Sequence, residues 1–263
     1  MSRGFVIKIC GNVIDDASGL DTFLREFSLI REPKILIHGG GAIATRLGEQ
    51  LGIKPVMVKG RRVTDGRTLD LVTMVYGGLI NKQITAKLQQ LGINAMGITG
   101  ADGNMIRAVK RPVGEVDFGF VGDLNEESIN STLLYFLLKQ NIIPVFAPLT
   151  HADGQMLNTN ADTIASSVSV AMSKHFDVRL VYCFEKRGVL EDVSNADSVI
   201  KALTLPKYKQ LLEANALHDG ILPKIESAFN AIRSGVKEVV IGGAQDLKKN
   251  TGTETTGTLI TLY

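Results

Sequence analysis

Three consecutive glycines stand where a short apolar run gives way to an amphipathic stretch. The run 34–38 ends at His38 and is followed by Gly39, Gly40 and Gly41. Glycines at such a junction let the backbone approach an anion, with amide N–H groups and a helix start directed at it. The segment lacks the Lys-Ser/Thr of a P-loop and the spaced glycines of a dinucleotide fingerprint. It indicates either an anion-binding loop or a plain tight turn, and His38 alone indicates only a strand end.

Two lysines lie where an ammonium group is costly without a partner. Lys8 lies inside the apolar run 5–9, shortly before Gly11. Burying the Lys8 ammonium group without a partner is unfavourable. Taken alone, however, the position of Lys8 indicates a side chain that reaches solvent. Lys224 ends the segment 219–224, directly after a proline at a predicted helix start. A cation there opposes the helix dipole, so its placement is best explained by a bound anion.

A third polar group precedes an alanine- and serine-rich helix. It contains Asn158, Asn160 and Asp162. Two roles are open for this group. Asn160 or Asp162 could cap the helix, or the segment could form a polar site in which an asparagine orients a substrate and the aspartate orients a cation.

These residues lie in a chain that alternates apolar runs with amphipathic stretches. The predicted strands are 5–9, 34–38, 95–99, 142–147, 179–184 and 239–241. The predicted helices are 19–30, 42–51, 68–91, 130–139, 161–174, 205–216 and 225–234. This order predicts an α/β fold, a three-layer αβα sandwich with a mainly parallel central sheet. Phosphate-sized ligands of such sheets bind outside the carboxyl ends of the strands.

One stretch, 106–125, departs from this alternation. Within it the run 116–122 suggests a hairpin or an edge meander. The chain shows no internal repeat or proline-rich linker. The best position for a division between two lobes is near 174–178.

Composition restricts the classes of partner. The 263 residues include 29 basic and 27 acidic ones, which gives a net charge of +2 without charged blocks. This balance does not favour nucleic acid or an anionic membrane as a partner. The apolar runs are shorter than a membrane span. Cys10 and Cys183 are far apart in sequence and lack metal-ligand spacing, so we expect free thiols, a cytoplasmic location and no dedicated metal site.

The ordered set of motifs resembles the amino-acid kinase superfamily over nearly the whole chain. The matching segments are 8–11, 38–41, 60–64, 158–162 and 220–224. Within the superfamily the motifs are most similar to those of the acetylglutamate kinases of arginine biosynthesis. The resemblance implies a homodimeric phosphotransferase that uses ATP with Mg²⁺ and an N-acyl-L-glutamate, acetyl or succinyl. Lobe 1–175 would bind the acyl-amino acid and form the dimer, and lobe 176–263 would bind the nucleotide.

The resemblance also implies roles for individual residues. Lys8 and Lys224 would flank the transferring phosphoryl group, and Asp162 would hold both ammonium groups. Asp162 need not act as a base, because an acceptor carboxylate is already ionised at neutral pH. Arg62 would bind a substrate carboxylate as a fork, and Asn158 would hydrogen-bond the glutamate portion.

Backbone amides supply the remaining positive charge in this interpretation. Those of Gly11, Gly40 and Gly41 would neutralise the phosphoryl and acceptor oxygens. The predicted nucleotide contacts are Gly11 with Glu185, Lys186, Gly188 and Leu190.

Two positions depart from the superfamily pattern. Cys10 stands where a second glycine usually follows the strand lysine, so its side chain could narrow the approach to the phosphates. The nucleotide loop usually begins Thr/Ser-Asp, whereas here Phe184 and Glu185 stand at its start. Lys186 and Arg187 could contact phosphates or be solvated charges, and solvation is favoured for Arg187.

Other functions remain open at this point. Glutamate 5-kinase, carbamate kinase and uridylate kinase share the superfamily, but Arg62 with Asn158 favours an acyl-glutamate. A non-catalytic ligand sensor would not need two phosphoryl-neutralising lysines. Arginine-inhibited relatives carry a helix before the first strand, whereas residues 1–4 precede it here. We therefore expect a dimer insensitive to arginine, and a hexamer by light scattering or inhibition by arginine would contradict this.

Overall fold

A central sheet organises the computed structural model, which describes residues 1–192, 194–214, 217 and 221–262. The strands are β1 (Arg3–Ile9), β2 (Lys34–His38), β3 (Val56–Val58), β4 (Arg61–Val63), β5 (Ala95–Ile98), β6 (Val109–Lys110), β7 (Gly122–Asp123), β8 (Ile143–Phe146), β9 (Leu149–Ala152), β10 (Gln155–Asn158), β11 (Asp177–Phe184), β12 (Ala202–Thr204), β13 (Glu238–Gly243) and β14 (Thr258–Thr261). The helices are α1 (Gly11–Asp15), α2 (Ala17–Leu29), α3 (Gly41–Gln50), α4 (Gly66–Val72), α5 (Asn81–Gln90), α6 (Ser131–Lys139), α7 (Ala161–Met172), α8 (Leu205–Glu213), α9 (Leu222–Arg233) and α10 (Leu247–Thr251). A π-helix, Thr73–Ile80, joins α4 to α5.

The main sheet has eight strands in the order β12-β14-β13-β11-β1-β2-β8-β5. Its neighbours are parallel except β13 and β14, which run antiparallel. One face packs against α6 to α9, and the other packs against α1 to α5 and α10. The predicted three-layer α/β sandwich with a mainly parallel sheet is therefore confirmed.

Strand β1 shows how the sequence fills these two layers. Its side chains alternate between faces, so Val6 packs in one core cluster while Ile7 and Ile9 pack in the other. Burial of one such aliphatic side chain contributes about 1.5–3 kcal/mol. The register places Ile9 beside His38 of β2 and Cys183 of β11. The residues that follow these three strands therefore meet at one edge of the sheet.

The predicted strands of the main sheet are all present within a few residues, and 34–38 has the predicted bounds. The predicted helix 68–91 is wrong in its middle, where the chain forms the π-helix Thr73–Ile80. The predicted helix 205–216 ends at Glu213 among the described residues, and Ala216 lies outside them. Asp219 and Gly220 of the segment before Lys224 also lie outside the described residues.

The run 116–122 by itself forms neither the hairpin nor the edge meander that the sequence suggested. An antiparallel ribbon joins β6 to β7, but Gly122 is the one residue of the run that it contains. The rest forms a loop whose backbone bonds two other segments. Thr64 N–H donates to Phe118 O at 2.9 Å, and Asn158 N–H donates to Phe120 O at 2.9 Å. The loop therefore joins the end of β4 to the end of β10.

Two further ribbons are absent from the sequence prediction. Strands β3 and β4 form one, and β9 and β10 form the other. Lys59 and Gly60 join the first pair, Asp153 and Gly154 join the second, and all four have positive φ. Positive φ at both central residues is characteristic of a type I′ turn. The Asp-Gly pair was the sequence signal that could have revealed the second hairpin.

Across the described part of the chain, the helices are too short or too polar to traverse a lipid bilayer.

Candidate active site

Asn160 caps α7 and leaves Asp162 free for another role. The Asn160 side-chain oxygen accepts hydrogen bonds from the backbone N–H of Asp162 at 2.8 Å and of Thr163 at 3.1 Å. This contact satisfies two of the amides that a helix start leaves without partners. Of the two roles left open by the sequence, capping therefore belongs to Asn160.

The Asp162 carboxylate lies between the two predicted lysines. Its Oδ1 is 2.8 Å from Lys8 Nζ, and its Oδ2 is 3.7 Å from Lys224 Nζ. The side chains of Lys8, Asp162 and Lys224 are 9%, 21% and 28% exposed. Lys224 lies in the first turn of α9, as predicted. The structure thus brings three residues from β1, α7 and α9 into one partly buried ionic group.

Asp162 stays ionised in this group. Burial opposes ionisation, but the ammonium groups of Lys8 and Lys224 outweigh it and hold the pKa of the Asp162 carboxyl below its ordinary value. The carboxylate therefore fixes two cations and does not take up a proton at neutral pH. The group carries one net positive charge that can be offered to an anion.

Phe184 contacts both cations of this group. Its ring centroid lies 5.6 Å from Lys8 Nζ and 5.1 Å from Lys224 Nζ. A cation near an aromatic face is attracted by the ring quadrupole, and such a contact contributes about 0.5–2 kcal/mol of interaction free energy. In the sequence, Phe184 is distinguished only as a departure from the superfamily pattern. No local signal placed its ring beside two lysines.

Three glycine amides form a second source of positive charge. Within the described ranges, no protein group accepts a hydrogen bond from the amides of Gly11, Gly40 or Gly41. A Cβ built on Gly11 would lie 3.7 Å from Gly40 N and 3.9 Å from Gly41 N, so the three residues adjoin. Gly11 and Gly41 are the first residues of α1 and α3. The arrangement suits an anion, with helix starts behind two of the amides.

The π-helix shapes this loop from behind. Gly40 has φ +144°, and a Cβ there would lie 2.3 Å from Ile80 Cδ1 and 3.3 Å from Tyr76 Cδ1. Both contacts come from the π-helical segment. Gly40 is therefore required both for its backbone conformation and for the space that Ile80 and Tyr76 leave.

A polar pocket of about 210 Å³ lies on one side of the glycine amides. Gly40, Gly41, Arg62 and Asn158 all line it, as predicted for a substrate pocket. The Asn158 amide donates to Thr64 Oγ1 at 3.0 Å. This bond joins the end of β10 to the residue that follows β4, the two places that the loop 116–121 also connects.

Arg62 reaches from β4 to the start of α3. Its Nη2 donates to Thr45 Oγ1 at 2.7 Å and to Gly41 O at 3.1 Å. These contacts fix the plane of the guanidinium at the pocket wall. A guanidinium held there can bind a carboxylate through two parallel hydrogen bonds once the carboxylate replaces one of these acceptors.

Replacing Arg62 with lysine should raise the KM for the pocket's carboxylate ligand by about tenfold or more. A lysine ammonium cannot form the fork, so one charge-assisted hydrogen bond of about 1.5–3 kcal/mol is lost. Steady-state kinetics with each substrate varied in turn measure the effect, and the KM for the second substrate serves as the internal control. A rise in that second KM alone would contradict the assignment.

Arg111 also lines this pocket and was missed. Its Nε and Nη2 bond to the Asp123 carboxylate at 2.5–3.1 Å. Arg111 lies in the stretch that departed from the alternation of strands and helices, and no motif there distinguished it.

A second cavity, of about 340 Å³, adjoins the ionic group. Lys8 and Lys224 line one part of it, and the apolar side chains of Leu190, Ile221 and Ile241 line another. A ligand with a flat apolar part and an anionic part matches this lining, as a nucleoside triphosphate does.

The predicted nucleotide contacts Glu185, Lys186, Gly188 and Leu190 all line this second cavity. Glu185 accepts a hydrogen bond from the Asn12 side chain at the start of α1. Arg187 is 58% exposed, lies 3.9 Å from carboxylates of Asp197 and Asp246, and fits the solvated role favoured for it. The predicted contact Gly11 lies instead with the amides of Gly40 and Gly41. The roles of these residues remain predictions.

Replacing Cys10 with glycine should leave turnover equal or higher. Cys10 lines the second cavity, is half-buried, and caps α1 without a side-chain hydrogen bond. Removing its side chain therefore costs no polar contact and widens the approach to the Gly11 amide. Turnover of purified Cys10→Gly measures this. A loss of more than about tenfold, or about 1.4 kcal/mol of transition-state stabilisation, would show that the thiol contributes.

Most of the chain matches a known protein family. Residues 3–243 match the amino acid kinase family.

Several relatives resemble the chain over nearly its whole length. One from Phocaeicola vulgatus is 52% identical over 249 residues, which are 94% of this chain and 96% of that protein. One from Parabacteroides distasonis is 50% identical, with 96% and 99% covered. One from Methanopyrus kandleri is 37% identical, with 94% and 98% covered. Each of these proteins is named acetylglutamate kinase.

Solved structures share the fold at lower identity. N-acetylglutamate synthase from Neisseria gonorrhoeae, complexed with coenzyme A and N-acetyl-glutamate, has a TM-score of 0.81 at 23% identity. The match covers 99% of this chain but spans only 59% of that synthase. Carbamate kinase from Giardia lamblia bound to AMP-PNP has a TM-score of 0.73 at 13% identity, with 100% and 99% covered. At such identities the similarity concerns the fold alone.

Proposed function

The chain belongs to the amino acid kinase family, and we propose that it transfers the γ-phosphoryl group of ATP to the side-chain carboxylate of N-acetyl-L-glutamate. One observation carries the proposal. Lys8 and Lys224 line a cavity suited to a nucleotide, and Asp162, which pairs with both, directly follows Asn160 and Ala161 of a pocket whose arginine is suited to a carboxylate. The relatives named acetylglutamate kinase, at 50–52% identity over nearly the full chain, support the same acceptor.

The reaction needs charge neutralisation more than proton transfer. An oxygen of the acceptor carboxylate forms a bond to the γ-phosphorus, and the bond from that phosphorus to the bridging oxygen of ADP breaks. Lys8 and Lys224 flank the phosphoryl group, one towards the acceptor and one towards ADP. The amides of Gly11, Gly40 and Gly41 bind the phosphoryl and acceptor oxygens. No base is required, because the acceptor is already ionised.

Magnesium enters as part of the nucleotide substrate. Both oxygens of Asp162 face lysine ammonium groups, and the neighbouring glycines offer N–H donors. Ammonium and amide N–H groups bind phosphate oxygens and cannot ligate a hard cation, whose ligands are oxygens. The ion is therefore held by the phosphates of ATP.

The two lobes divide the substrates in this proposal. The acceptor pocket is lined by residues from 39 to 161, which supports 1–175 as the acyl-amino-acid lobe. The second cavity is lined mainly by residues after 183, which supports 176–263 as the nucleotide lobe. Lys8, Cys10 and Asn12 reach into that cavity from the first lobe.

We also propose a homodimer in the cytoplasm. Met74 and Leu79 of the π-helix are 58% and 42% exposed, an apolar surface that a second copy of the chain could cover. Cys10 and Cys183 are free thiols, which a reducing compartment maintains.

An ADP-release assay across several acceptors tests the proposed function. The purified protein is supplied with MgATP and with N-acetyl-L-glutamate, N-succinyl-L-glutamate, L-glutamate, carbamate or UMP. We expect N-acetyl-L-glutamate to give the highest kcat/KM. A preference for N-succinyl-L-glutamate would change the acyl group, and a preference for another acceptor would replace the proposed reaction. No ADP release with any acceptor would favour a ligand sensor.

A further inference from the structure

A buried polar network lies directly behind the glycine loop, and the proposed reaction does not use it. It consists of His38 at the end of β2, Asn81 at the start of α5 and the carbonyl of Val145 in β8. Both side chains have no exposed surface. Burying a polar side chain is costly unless it is hydrogen-bonded, so a buried network is a strongly specified part of the structure.

The donors and acceptors of the network can be assigned by starting from the Val145 carbonyl. The Val145 carbonyl can only accept, so the atom of Asn81 that lies 2.9 Å from it is the amide nitrogen. The same nitrogen lies 3.2 Å from His38 Nε2 and donates to it. Nε2 is then the unprotonated ring nitrogen, and Nδ1 carries the proton. Nδ1–H donates to the carbonyl of Gly39 at 2.7 Å.

Burial keeps this tautomer neutral. It lowers the pKa of His38 to about 4, outweighing the bond to Gly39, which favours the charged form. At neutral pH the ring is therefore a single donor towards Gly39 and a single acceptor towards Asn81.

The bond to Gly39 fixes the direction of the next amide. The Gly39–Gly40 peptide is trans, so its N–H points opposite to its C=O. With the carbonyl held by His38, the Gly40 N–H points away from the ring and towards the space over Gly11. Gly40 N is 3.7 Å from where a Cβ on Gly11 would lie.

This peptide needs such a restraint because glycines flank it. Gly39 and Gly40 have no side chains to oppose a peptide flip, and Gly40 already has φ +144°. A flipped peptide would present its carbonyl oxygen to the incoming phosphate and remove one donor.

We propose that His38 is a positioning residue, whose Nδ1–H holds the Gly39 carbonyl and thereby directs the Gly40 amide at the transferring phosphoryl group. The proposal rests on the proposed function, since it assigns the amide a phosphoryl ligand. Asn81 fixes the tautomer of His38 and thus acts one step further from the substrate.

Two variants of His38 separate positioning from core packing. His38→Asn can place its amide nitrogen near the former Nδ1 and keep a donor to Gly39. His38→Leu fills the space without a donor and avoids burying a polar group. We expect melting temperature and kcat to rank the two variants in opposite order. His38→Leu should have the higher melting temperature, and His38→Asn should have the higher kcat.

The size of the effect follows from the loss of one directed donor. Removing a donor to a transition-state oxyanion lowers kcat by about 10²–10³-fold, so a misdirected amide should cost at least about tenfold in His38→Leu. The KM for ATP should change less than kcat. The proposal would be overturned if the variant with the higher melting temperature also had the higher kcat, or if both variants kept wild-type kcat.

A measurement on the unaltered protein covers the case in which a variant does not fold. Nitrogen-15 NMR of labelled histidine reports which ring nitrogen carries the proton, and the chain has four histidines. The structure requires a proton on Nδ1 of His38, and a proton on Nε2 would overturn the proposal. An inactive wild-type protein would refute the proposed function instead, whereas the tautomer is read without any turnover.

Discussion

Replacing Lys224 with alanine is expected to lower kcat by about two to three orders of magnitude. Its ammonium group is held 3.7 Å from Asp162 Oδ2 and faces the nucleotide cavity. Loss of one preorganised charged donor costs about 3–4 kcal/mol in the transition state. Because this charge matters most as the phosphoryl group leaves ADP, the KM values should rise far less than kcat falls.

Lys207 provides a matched control for this variant. It also forms an ion pair, with Glu191 at 3.0 Å, but the two side chains are 40% and 57% exposed and the pair lies at the surface. An exposed pair contributes little, so Lys207→Ala should retain wild-type kcat. Near-wild-type turnover in Lys224→Ala would show that Lys224 is only a surface charge.

Replacing Gly11 with alanine should lower kcat about a hundredfold or more without unfolding the protein. The added methyl group would lie 3.7 Å from Gly40 N and 3.9 Å from Gly41 N, which are ordinary contact distances. It would nevertheless occupy the space in which a phosphoryl oxygen must approach those amides to about 2.9 Å. The expected fall in kcat is therefore the one that follows the loss of one or more hydrogen-bond donors to a transition-state oxyanion. Kinetics and thermal unfolding of the same preparation measure both effects.

Gly66 offers the matched control for this substitution. It is the first residue of α4, as Gly11 is of α1, and a Cβ there meets nothing within 4 Å. Gly66→Ala should leave both kcat and melting temperature close to wild type. Wild-type kcat in Gly11→Ala would mean that the phosphoryl group does not bind at these amides.

The sequence predicted the parts of the site that follow from strong local signals. Strands β1 and β2 are apolar runs apart from Arg3, Lys8, Lys34 and His38, and glycine-containing segments follow both. Parallel strands bring those segments to one edge of the sheet. The meeting of Lys8 with Asp162 and Lys224 is a contact between distant elements, and only the family resemblance predicted it.

Other features could not be predicted from local patterns. The residues 73–80 include Gly77 and Gly78, which disfavour any helix, but nothing in them distinguishes a π-helix from an α-helix. The contacts of Ile80 with Gly40 became apparent only in the folded chain. The hydrogen bonds on which the proposed role of His38 rests were missed for the same reason, because its partner Asn81 is 43 residues away in sequence.

The sequence also did not decide which residue caps α7 and which is part of the site. Asn160 and Asp162 both suit a helix start, so the sequence left the choice open. Geometry decided it, because Asn160 bonds two amides of the first turn while Asp162 faces two lysines. A substitution at Asp162 therefore leaves the helix cap in place.

The most direct test of the account measures kcat for Asp162→Asn, for Lys224→Ala and for the double variant, with folding checked by thermal unfolding. Asp162→Asn should also lower kcat severely, because Lys8 and Lys224 lose the carboxylate that separates and directs them. If the three residues act as one unit, the double variant should be only slightly slower than the slower single variant. If the losses multiply instead, or if either single variant keeps near-wild-type kcat, Lys8, Asp162 and Lys224 do not form the phosphoryl-transfer group.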